Sequence, residues 1–461
     1  MVRLFSHYFP SNILLQVALD AILLFAAILF GALIENQANR AVLDAALLPA
    51  VVFALFMTTL ISAMGLYRRD QPRSFGGAAR RILIAFALGL PCVYGIFEYL
   101  PCTGACQKPL FVTNGILALA GILLLRAAYL NSVDAGTFSR RILVLGAAAE
   151  AAAVEQALTS PGIPGLTLVG FYPIDTAEVS VSRHRLLPND RPITESVNQL
   201  RVDEVIVAVR ERRGGVLPLN QLLNCKLEGV SVIDLSTFFE RIHGEVRIES
   251  LRASWLIYGE GFRQGPVRLF IKRLSDLVAA LILLTATLPI IILAAIAIRL
   301  ESRGPILYLQ ERVGRAGKVF KVMKFRSMFT DAEADGKPRW AKANDSRVTR
   351  VGRIIRRTRI DELPQIFNVL TGEMSLVGPR PERPFFVAQL SQQIPFYGAR
   401  HSVKPGITGW AQVRYKYGAT VDDAVHKLQF DLYYIKNHTL FLDIFILFKT
   451  VSVVISGEGA H

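Results

Sequence analysis

Four apolar runs fill the first third of the chain, at roughly 13–34, 46–67, 82–100 and 109–130. Each run approaches the ~20 residues that a helix needs to cross a bilayer. The polar break at 68–81 carries five arginines and one acid, whereas the other two breaks hold few positive charges. By the positive-inside rule, this break and both ends of the block face the cytoplasm. The pattern therefore predicts a four-span membrane anchor over residues 1–134.

The cysteines add little to this picture. Cys102 and Cys106 fall in the second outward-facing break, where an oxidising compartment would permit a disulfide. Two free thiols near the membrane surface are the equal alternative. Cys92 and Cys225 lack the spacing of metal ligands.

Residues 135–265 alternate short buried strands with helical or polar stretches. The candidate strands are 140–145, 166–171, 204–209 and 230–233. Such alternation predicts a parallel sheet. Gly146 and an alanine-rich helix follow the first strand, an opening that invites a dinucleotide-binding interpretation. Only one of the three fingerprint glycines is present. A structural or regulatory Rossmann-like domain is therefore favoured over nucleotide binding.

A second hydrophobic element runs from Leu274 to Leu300, with Pro289 near its middle. Its length permits a span, but basic residues flank both ends, and both ends should therefore prefer the cytoplasm. Proline removes a helical hydrogen bond and favours a kink. A re-entrant helix broken at Pro289 satisfies both observations, and a true span is the alternative. The hydroxyls of Thr285 and Thr287 are candidates to pair the freed backbone groups.

The basic pair Lys272-Arg273 begins this element. Such a pair usually anchors a helix at the interface, and holding the phosphate of a lipid is the sharper alternative. Further along, residues 339–359 contain eight basic residues and one acid, Asp345. Trp340 is the one aromatic residue in that run, which weakens a nucleic-acid interpretation. The run favours a solvated or lipid-facing basic surface.

Composition agrees with a membrane protein. The 461 residues are 52% hydrophobic and 19% charged, with a net charge of +15, whereas soluble domains are typically ~25% charged. These values exclude a disordered or collagen-like chain, and four cysteines exclude a disulfide-built scaffold. A basic, apolar chain suits anionic headgroups or phosphates.

Two adjacent carboxylates, Asp361 and Glu362, follow the basic run. Pro364 suits the first turn of a helix and Gly372 its end, so the pair lies near a helix N-terminus. The helix dipole and the flanking arginines should keep both side chains ionised. Adjacent helical residues point about 100° apart, which suits Asp361 as a nucleophile toward phosphorus and Glu362 as a ligand of a divalent cation. In isolation, such a pair most often reflects a helix-terminal charge preference.

A rigid arginine follows these carboxylates. Arg380 lies between two prolines, which fix the backbone and present a guanidinium fork suited to phosphate. Lys324 and Arg326 follow the strand-like stretch 318–323 and invite the same interpretation. The sequence has no Walker loop and no apparent catalytic arrangement of His or Cys.

Several ordered motifs make residues 266–461 resemble the bacterial sugar transferase family, the membrane-bound polyprenyl-phosphate sugar-1-phosphate transferases. The motifs are Lys272-Arg273 with Asp276, Gly304-Pro305, Gln310 to Gly314, Lys324 to Met328, Asp361 to Gln365, Val377 to Pro381, Lys404 to Trp410, and Phe430 to Tyr434. The resemblance implies a fold class of three parts: a four-span helical anchor (1–134), a Rossmann-like α/β domain (135–265), and an α/β catalytic domain with a re-entrant membrane helix (266–461).

The resemblance also implies a reaction. Members move a hexose 1-phosphate from a UDP-sugar, here UDP-glucose or UDP-galactose by family frequency, to undecaprenyl phosphate. They release UMP and start exopolysaccharide, capsule or O-antigen synthesis. By motif, Asp361 would be the nucleophile that forms a phosphosugar intermediate, and Glu362 would help to bind Mg²⁺. The carried-over substrate or phosphate ligands are Arg380, Lys324, Arg326, Arg312, Lys272, Arg273 and, on a less rigid motif, Asp431.

The expected location is the bacterial inner membrane, with several spans and the catalytic domain on the cytoplasmic face among membrane lipids. No nucleic-acid partner is expected, and oligomeric state stays open, with a homodimer as one option. One departure concerns Leu288, which stands before Pro289 where the family usually has Ser. Two other functions stay open: a membrane glycosyltransferase that releases UDP, and a non-catalytic membrane scaffold or sensor.

Overall fold

The computed structural model describes residues 2–4, 7–9, 11–35, 40–67, 75–97, 108–134, 139–159, 165–174, 179–209, 217–248, 265–329, 347–415, 418 and 420–456. Cys102 and Cys106 lie outside these ranges. The chain divides into two compact units, Phe9–Phe238 with Met1–Val2, and Phe239–His461 with Arg3–Tyr8. The domain boundaries drawn from the sequence stay predictions.

Four helices open the first unit: Ser11–Glu35, Arg40–Ala63, Phe75–Phe97 and Lys108–Asp134. They correspond to the four apolar runs, although the third begins well before residue 82 and includes Arg80 and Arg81. Among the described residues, the stretches long and apolar enough to cross a membrane are Ile13–Leu33, Phe75–Phe97, Phe111–Asn131 and Pro266–Glu301. The second helix supplies a shorter apolar stretch, Ala46–Ser62.

The four helices bury a polar group among their apolar side chains. Arg126 Nη2 lies 2.9 Å from Asp20 Oδ2, and the Tyr67 hydroxyl donates to the same carboxylate at 2.7 Å. Arg126 also donates to the side chain of Gln16. Charged side chains inside apolar helix bundles are costly unless they are paired. The ion pair between Arg126 and Asp20 therefore neutralises both charges inside this group of helices.

A parallel four-stranded sheet follows in the first unit, as the alternating pattern predicted, with helices Ala149–Thr159, Ile193–Gln199 and Leu219–Leu227 between its strands. Its strands, Arg140–Leu145, Leu166–Tyr172, Glu204–Val207 and Ser231–Asp234, lie in the order second, first, third, fourth. Gly146 ends the first strand with φ +115°, and a Cβ there would lie 2.6 Å from the carbonyl oxygen of Ala208. Glycine is required by this close approach. A Rossmann-like identity stays a prediction.

The second unit contains one long helix, Pro266–Glu301, which includes Pro289. The Thr285 hydroxyl donates to the carbonyl of Leu281, and the Thr287 hydroxyl donates to the carbonyl of Leu283. Pro289 leaves the carbonyl of Thr285 without its usual helical donor. The expectation that these two hydroxyls pair the freed group is therefore wrong, because each bonds one turn earlier. The break at Pro289 and the re-entrant path stay predictions.

Short strands and helices follow this helix in the chain. An antiparallel hairpin joins Leu307–Val313 to Val319–Phe325, and Ser375–Val377 pairs in parallel with Gly406–Thr408. The second hairpin strand matches the strand-like stretch predicted from the sequence. The helices are Arg350–Arg357, Gln365–Thr371, Pro384–Gln393, Trp410–Arg414, Val421–Asn437 and Leu440–Ser456.

The core of the second unit forms around Trp410 and Tyr433, whose rings stack with centroids 5.9 Å apart. Trp410 Nε1 donates to the carbonyl of Gly244 at 2.7 Å, and the Val246 amide donates to the carbonyl of Gln429 at 3.0 Å. The side chains of Trp410, Tyr433, Val246 and Gln429 are all buried. The segment around residue 245 therefore packs into this core, although the sequence analysis grouped it with the middle domain.

Candidate active site

The carboxylate pair lies in a short 3-10 turn, Ile360–Glu362, that precedes helix Gln365–Thr371. The helix ends at Gly372, which has φ +91° and acts as the expected stop. Arg359 begins the turn at φ +59°, a left-handed conformation that is uncommon for a residue other than glycine. Such strained positions cluster at functional sites. The turn thereby places Asp361 and Glu362 just before the helix.

Three cations surround Glu362. Its Oε1 atom lies 2.8 Å from Arg380 Nη2, 3.5 Å from Lys324 Nζ and 3.7 Å from Arg359 Nη1. The Glu362 side chain is buried, and burial alone would raise its pKa. The charges of Arg380, Lys324 and Arg359 outweigh that effect and hold the pKa well below its usual range. Glu362 is therefore a fixed anion that holds three basic side chains together.

Asp361 has a different environment. Among the described residues, none forms a hydrogen bond or an ion pair with its carboxylate, and the side chain is partly buried. Burial, together with the charge of Glu362, raises the pKa of Asp361 to about 6, against the opposing charges of Lys324 and Arg359. The carboxylate is still largely ionised at neutral pH, as expected, but its pKa moves in the direction opposite to that expected for a helix N-terminus. An ionised, unpaired carboxylate is available to react.

Arg312 and Lys324 bring further buried positive charge to the site. Arg312 Nη1 donates to the carbonyl of Pro381 at 2.9 Å and lies 3.3 Å from Glu382 Oε2. Burial lowers the pKa of Lys324, and burial likewise lowers the pKa of Arg312, in each case against the attraction of a nearby glutamate. Cations buried at such a cost are typical of sites that bind an anion.

Two other arginines expected to bind phosphate use their donors on the backbone instead. Arg326 donates to the carbonyls of Ser302 and Arg303, at the end of the long helix. Arg273 donates to the carbonyls of Val369 and Leu370, at the end of the helix that follows the carboxylate pair. Basic residues are favourable at helix C-termini. Arg273 and Arg326 therefore cap helix C-termini, and neither forms an ion pair with Asp361 or Glu362.

The remaining two expected ligands form ion pairs with residues other than Asp361 and Glu362. Lys272 Nζ lies 3.0 Å from Asp276 Oδ1 and 2.9 Å from Asp443 Oδ2, near the start of the long helix. Asp431 is buried and pairs with Arg400 at 2.8 Å. Both residues therefore belong to paired networks within the second unit.

The sequence did not identify Arg359 or Arg400 as residues of the candidate site. Arg359 appeared there as part of a basic surface, although its position three residues before Glu362 places it next to that carboxylate in a helical turn. Arg400 was not considered. Its nearest signal is the two basic residues of the turn Tyr397–Ser402, which do not distinguish a buried arginine from an exposed one.

The magnesium ion expected from the sequence stays a prediction, and Glu362 is the side chain that would hold it together with phosphate. No group of three or more His, Cys, Asp or Glu side chains suited to a metal is found in the described part of the chain. Mg²⁺ at phosphate sites commonly takes one or two carboxylates and completes its shell with water and phosphate oxygens. Among the described residues, the three ion pairs of Glu362 all involve Oε1, so Oε2 is the protein oxygen that would hold the ion.

Comparison with known proteins places this site within a family. The family model described as "Bacterial sugar transferase" matches residues 267–457. A UDP-glucose:undecaprenyl-phosphate glucose-1-phosphate transferase of Xanthomonas campestris pv. campestris is 32% identical over 361 residues, which cover 76% of this chain and 74% of that protein. The chain belongs to the bacterial sugar transferase family. The family model covers the whole candidate site of this chain: the carboxylate turn, Lys324, Arg312 and Arg380.

Two further relatives match this chain over a smaller part of their own length. A UDP-N-acetylgalactosamine-undecaprenyl-phosphate N-acetylgalactosaminephosphotransferase of Aeromonas hydrophila is 46% identical over 240 residues, 52% of this chain and 56% of that protein. A UDP-glucose:undecaprenyl-phosphate glucose-1-phosphate transferase of Escherichia coli (strain K12) is 44% identical over 197 residues, 42% of each chain. The chain thus spans about half the length of these two relatives.

Proposed function

We propose that this sugar transferase moves a hexose 1-phosphate from a UDP-sugar to undecaprenyl phosphate through a covalent intermediate on Asp361, with release of UMP. The observation that carries the proposal is the contrast between two adjacent carboxylates. Glu362 forms ion pairs with three cations, whereas Asp361 forms none with the described residues. The relatives are named for this class of transfer.

The proposed reaction has two displacements at one phosphorus atom. In the first, an Asp361 carboxylate oxygen attacks the sugar-bearing phosphorus, and the bond from that phosphorus to the bridging oxygen breaks. The bridging oxygen and its electron pair leave with UMP. In the second, an oxygen of undecaprenyl phosphate attacks the same phosphorus and displaces the Asp361 oxygen. The carboxylate is regenerated, and the lipid carries a diphosphate linked to the sugar.

The cations around Glu362 suit both displacements. Negative charge lies on the oxygens of the transferring phosphoryl group and on the attacking and leaving oxygens. We assign Arg380, Lys324 and Arg312 to these oxygens. Arg380 and Lys324 lie against Glu362, and the buried Arg312 interacts electrostatically with both Arg380 and Glu362. Mg²⁺, bound by Glu362 and the substrate phosphates, would supply further positive charge.

The long apolar helix suits an acceptor that is confined to lipid. We propose that the second unit lies on the cytoplasmic face of the inner membrane, where a water-soluble UDP-sugar and a membrane-bound phosphate can both reach Asp361. A re-entrant path at Pro289 would keep both basic ends of the helix on that face. The product would begin an exopolysaccharide, capsule or O-antigen chain.

The experiment that tests the proposal uses the full chain in lipid nanodiscs with undecaprenyl phosphate and Mg²⁺. Donors are UDP-glucose, UDP-galactose and UDP-N-acetylgalactosamine, each labelled in the sugar. We expect UMP release with at least one donor and a labelled protein intermediate when the acceptor is omitted. Asp361→Asn should abolish both. Asp422→Asn, at an exposed carboxylate of another helix, is the matched control.

Three outcomes would overturn the proposal. Release of UDP would indicate a glycosyltransferase that moves the sugar alone. Full turnover by Asp361→Asn would exclude the intermediate at this residue. Absence of turnover with every donor, with the wild-type protein folded in the same nanodiscs, would favour a non-catalytic scaffold.

A further inference from the structure

A buried arginine connects the proposed phosphate site to the core of the second unit. Arg400 is 6% exposed. Its Nη1 donates to the Tyr397 hydroxyl at 2.6 Å, and its Nη2 lies 2.8 Å from Asp431 Oδ2. The same Nη2 donates to the backbone carbonyl of Arg380 at 3.0 Å. One guanidinium thus joins a buried carboxylate, a buried phenol and the backbone of the residue that contacts Glu362.

Hydrogen bonds to the main chain also hold the residues before and after Arg380. The Gly378 amide donates to the carbonyl of Thr408 at 2.9 Å, and the Gly406 amide donates to the carbonyl of Pro379 at 3.0 Å. After Arg380, Arg312 Nη1 donates to the carbonyl of Pro381 at 2.9 Å, and the Val313 amide donates to the carbonyl of Glu382 at 2.9 Å. At Arg380 itself, the carbonyl accepts from Arg400 while the guanidinium lies 2.8 Å from Glu362. The position of Arg380 is therefore set from both ends of the residue.

We infer that Arg400 is a positioning residue for Arg380: its fork, anchored on Asp431 and Tyr397, holds the Arg380 carbonyl so that the Arg380 guanidinium lies against Glu362 and can receive the transferring phosphate. The inference rests on the proposed function for its catalytic readout. It also assigns Asp431 a role as the anchor of Arg400.

A planar fork is needed for these contacts. Arg400 makes two hydrogen bonds, to the Tyr397 hydroxyl and the Arg380 carbonyl, and an ion pair with Asp431, all from two terminal nitrogens in one plane. A lysine presents one compact charge on a flexible stem. Lysine at position 400 would keep a cation beside Asp431, and so avoid leaving that carboxylate buried and unpaired, but it could not reproduce all three contacts. Arg400→Lys therefore separates positioning from simple charge pairing.

The test measures UMP release in nanodiscs as kcat/KM for the UDP-sugar, in a double-mutant cycle. Arg400→Lys should lower kcat/KM by about 10- to 100-fold, because displacement of a substrate-binding group by about 1 Å can have that effect. In an Arg380→Gln background, Arg400→Lys should have little further effect. Tyr397→Phe removes one anchor of Arg400 and should cause a smaller fall that is likewise absent in that background.

The matched control is Arg414→Lys, since Arg414 also donates to a backbone carbonyl, that of His243, and stacks on Trp410 away from the carboxylate turn. It should leave kcat/KM unchanged. Equal losses from Arg400→Lys in both backgrounds would overturn the inference and indicate a purely structural ion pair. If Arg400→Lys does not fold, the same comparison with Tyr397→Phe decides.

A second readout separates this inference from the proposed function. Binding of UDP with Mg²⁺, measured by calorimetry in Asp361→Asn protein, needs no turnover. We expect Arg400→Lys to weaken UDP binding in that protein and not to weaken it further when Arg380→Gln is also present. Wild-type protein that releases no UMP would refute the proposed function, whereas additive effects on UDP binding would refute the positioning role.

Discussion

Replacement of the proposed nucleophile should stabilise the protein. The pKa of Asp361 is about 6, against an ordinary value of 3.8, because burial and the charge of Glu362 disfavour the ionised form. An acid whose pKa is higher in the folded chain than in the unfolded chain destabilises the fold once it is ionised. Asp361→Asn removes the charge and keeps the shape of the side chain. We therefore expect a more stable, inactive protein.

The size of the effect follows from the two pKa values. A pKa difference of about two, at 1.36 kcal/mol for each pKa unit, corresponds to about 3 kcal/mol. Solvent screening at this partly exposed side chain reduces the expected gain to about 1.5 kcal/mol. For a unit of this size, that gain corresponds to a rise of about 3–6 °C in the unfolding midpoint.

The sign of the pH dependence is also fixed. Because the unfolded carboxylate ionises near pH 3.8 and the folded one near pH 6, the destabilisation begins near the lower pH and is complete above the higher one. The stability gain from Asp361→Asn should be about twice as large at pH 8 as at pH 5. Thermal unfolding in nanodiscs, followed by intrinsic fluorescence at both pH values, measures it.

The adjacent residue supplies a matched control of opposite sign. Glu362 has a pKa well below its usual range because of Arg380, Lys324 and Arg359, despite its burial. Its charge therefore stabilises the fold at neutral pH, and Glu362→Gln should lower the unfolding midpoint there. Equal or lower stability of Asp361→Asn at pH 8, or a gain that does not change with pH, would refute this reasoning.

Three further predictions concern activity and local stability. Formation of the wild-type intermediate should fall about tenfold for each pH unit below about 6, because Asp361 must be ionised to attack; a flat single-turnover profile from pH 5 to 8 would contradict this. Arg380→Gln should lower kcat/KM for the UDP-sugar by about 10- to 150-fold, since charge-assisted hydrogen bonds contribute about 1.5–3 kcal/mol; Arg380→Lys should fall between it and wild type. Thr420→Ala removes the capping box of helix Val421–Asn437 and should cost about 1 kcal/mol; an unchanged unfolding midpoint would argue against that cap.

Local structure was largely readable from the sequence. Apolar runs of sufficient length located the four N-terminal helices, and short buried stretches separated by helical ones located the parallel sheet. These features depend on residues that are close together in the chain. The same holds for the adjacency of Asp361 and Glu362 and for the end of their helix at Gly372.

The roles of the basic residues were decided by tertiary structure. The sequence contains many arginines and lysines of similar local appearance, so it could not distinguish those that meet the carboxylates from those that cap helices. Lys324 lies 38 residues before Glu362 and Arg380 lies 18 after it, yet both contact the same oxygen atom. Arg273 and Arg326 instead bind backbone carbonyls.

The same distinction explains the two carboxylates. Their sequence establishes that they are neighbours on a turn and that they follow a basic run. Their opposite pKa shifts arise because three cations lie against Glu362, whereas burial and Glu362 itself act on Asp361. Electrostatic energy depends on distance through space and on exclusion of water. Both quantities are fixed only when distant segments of the chain pack together.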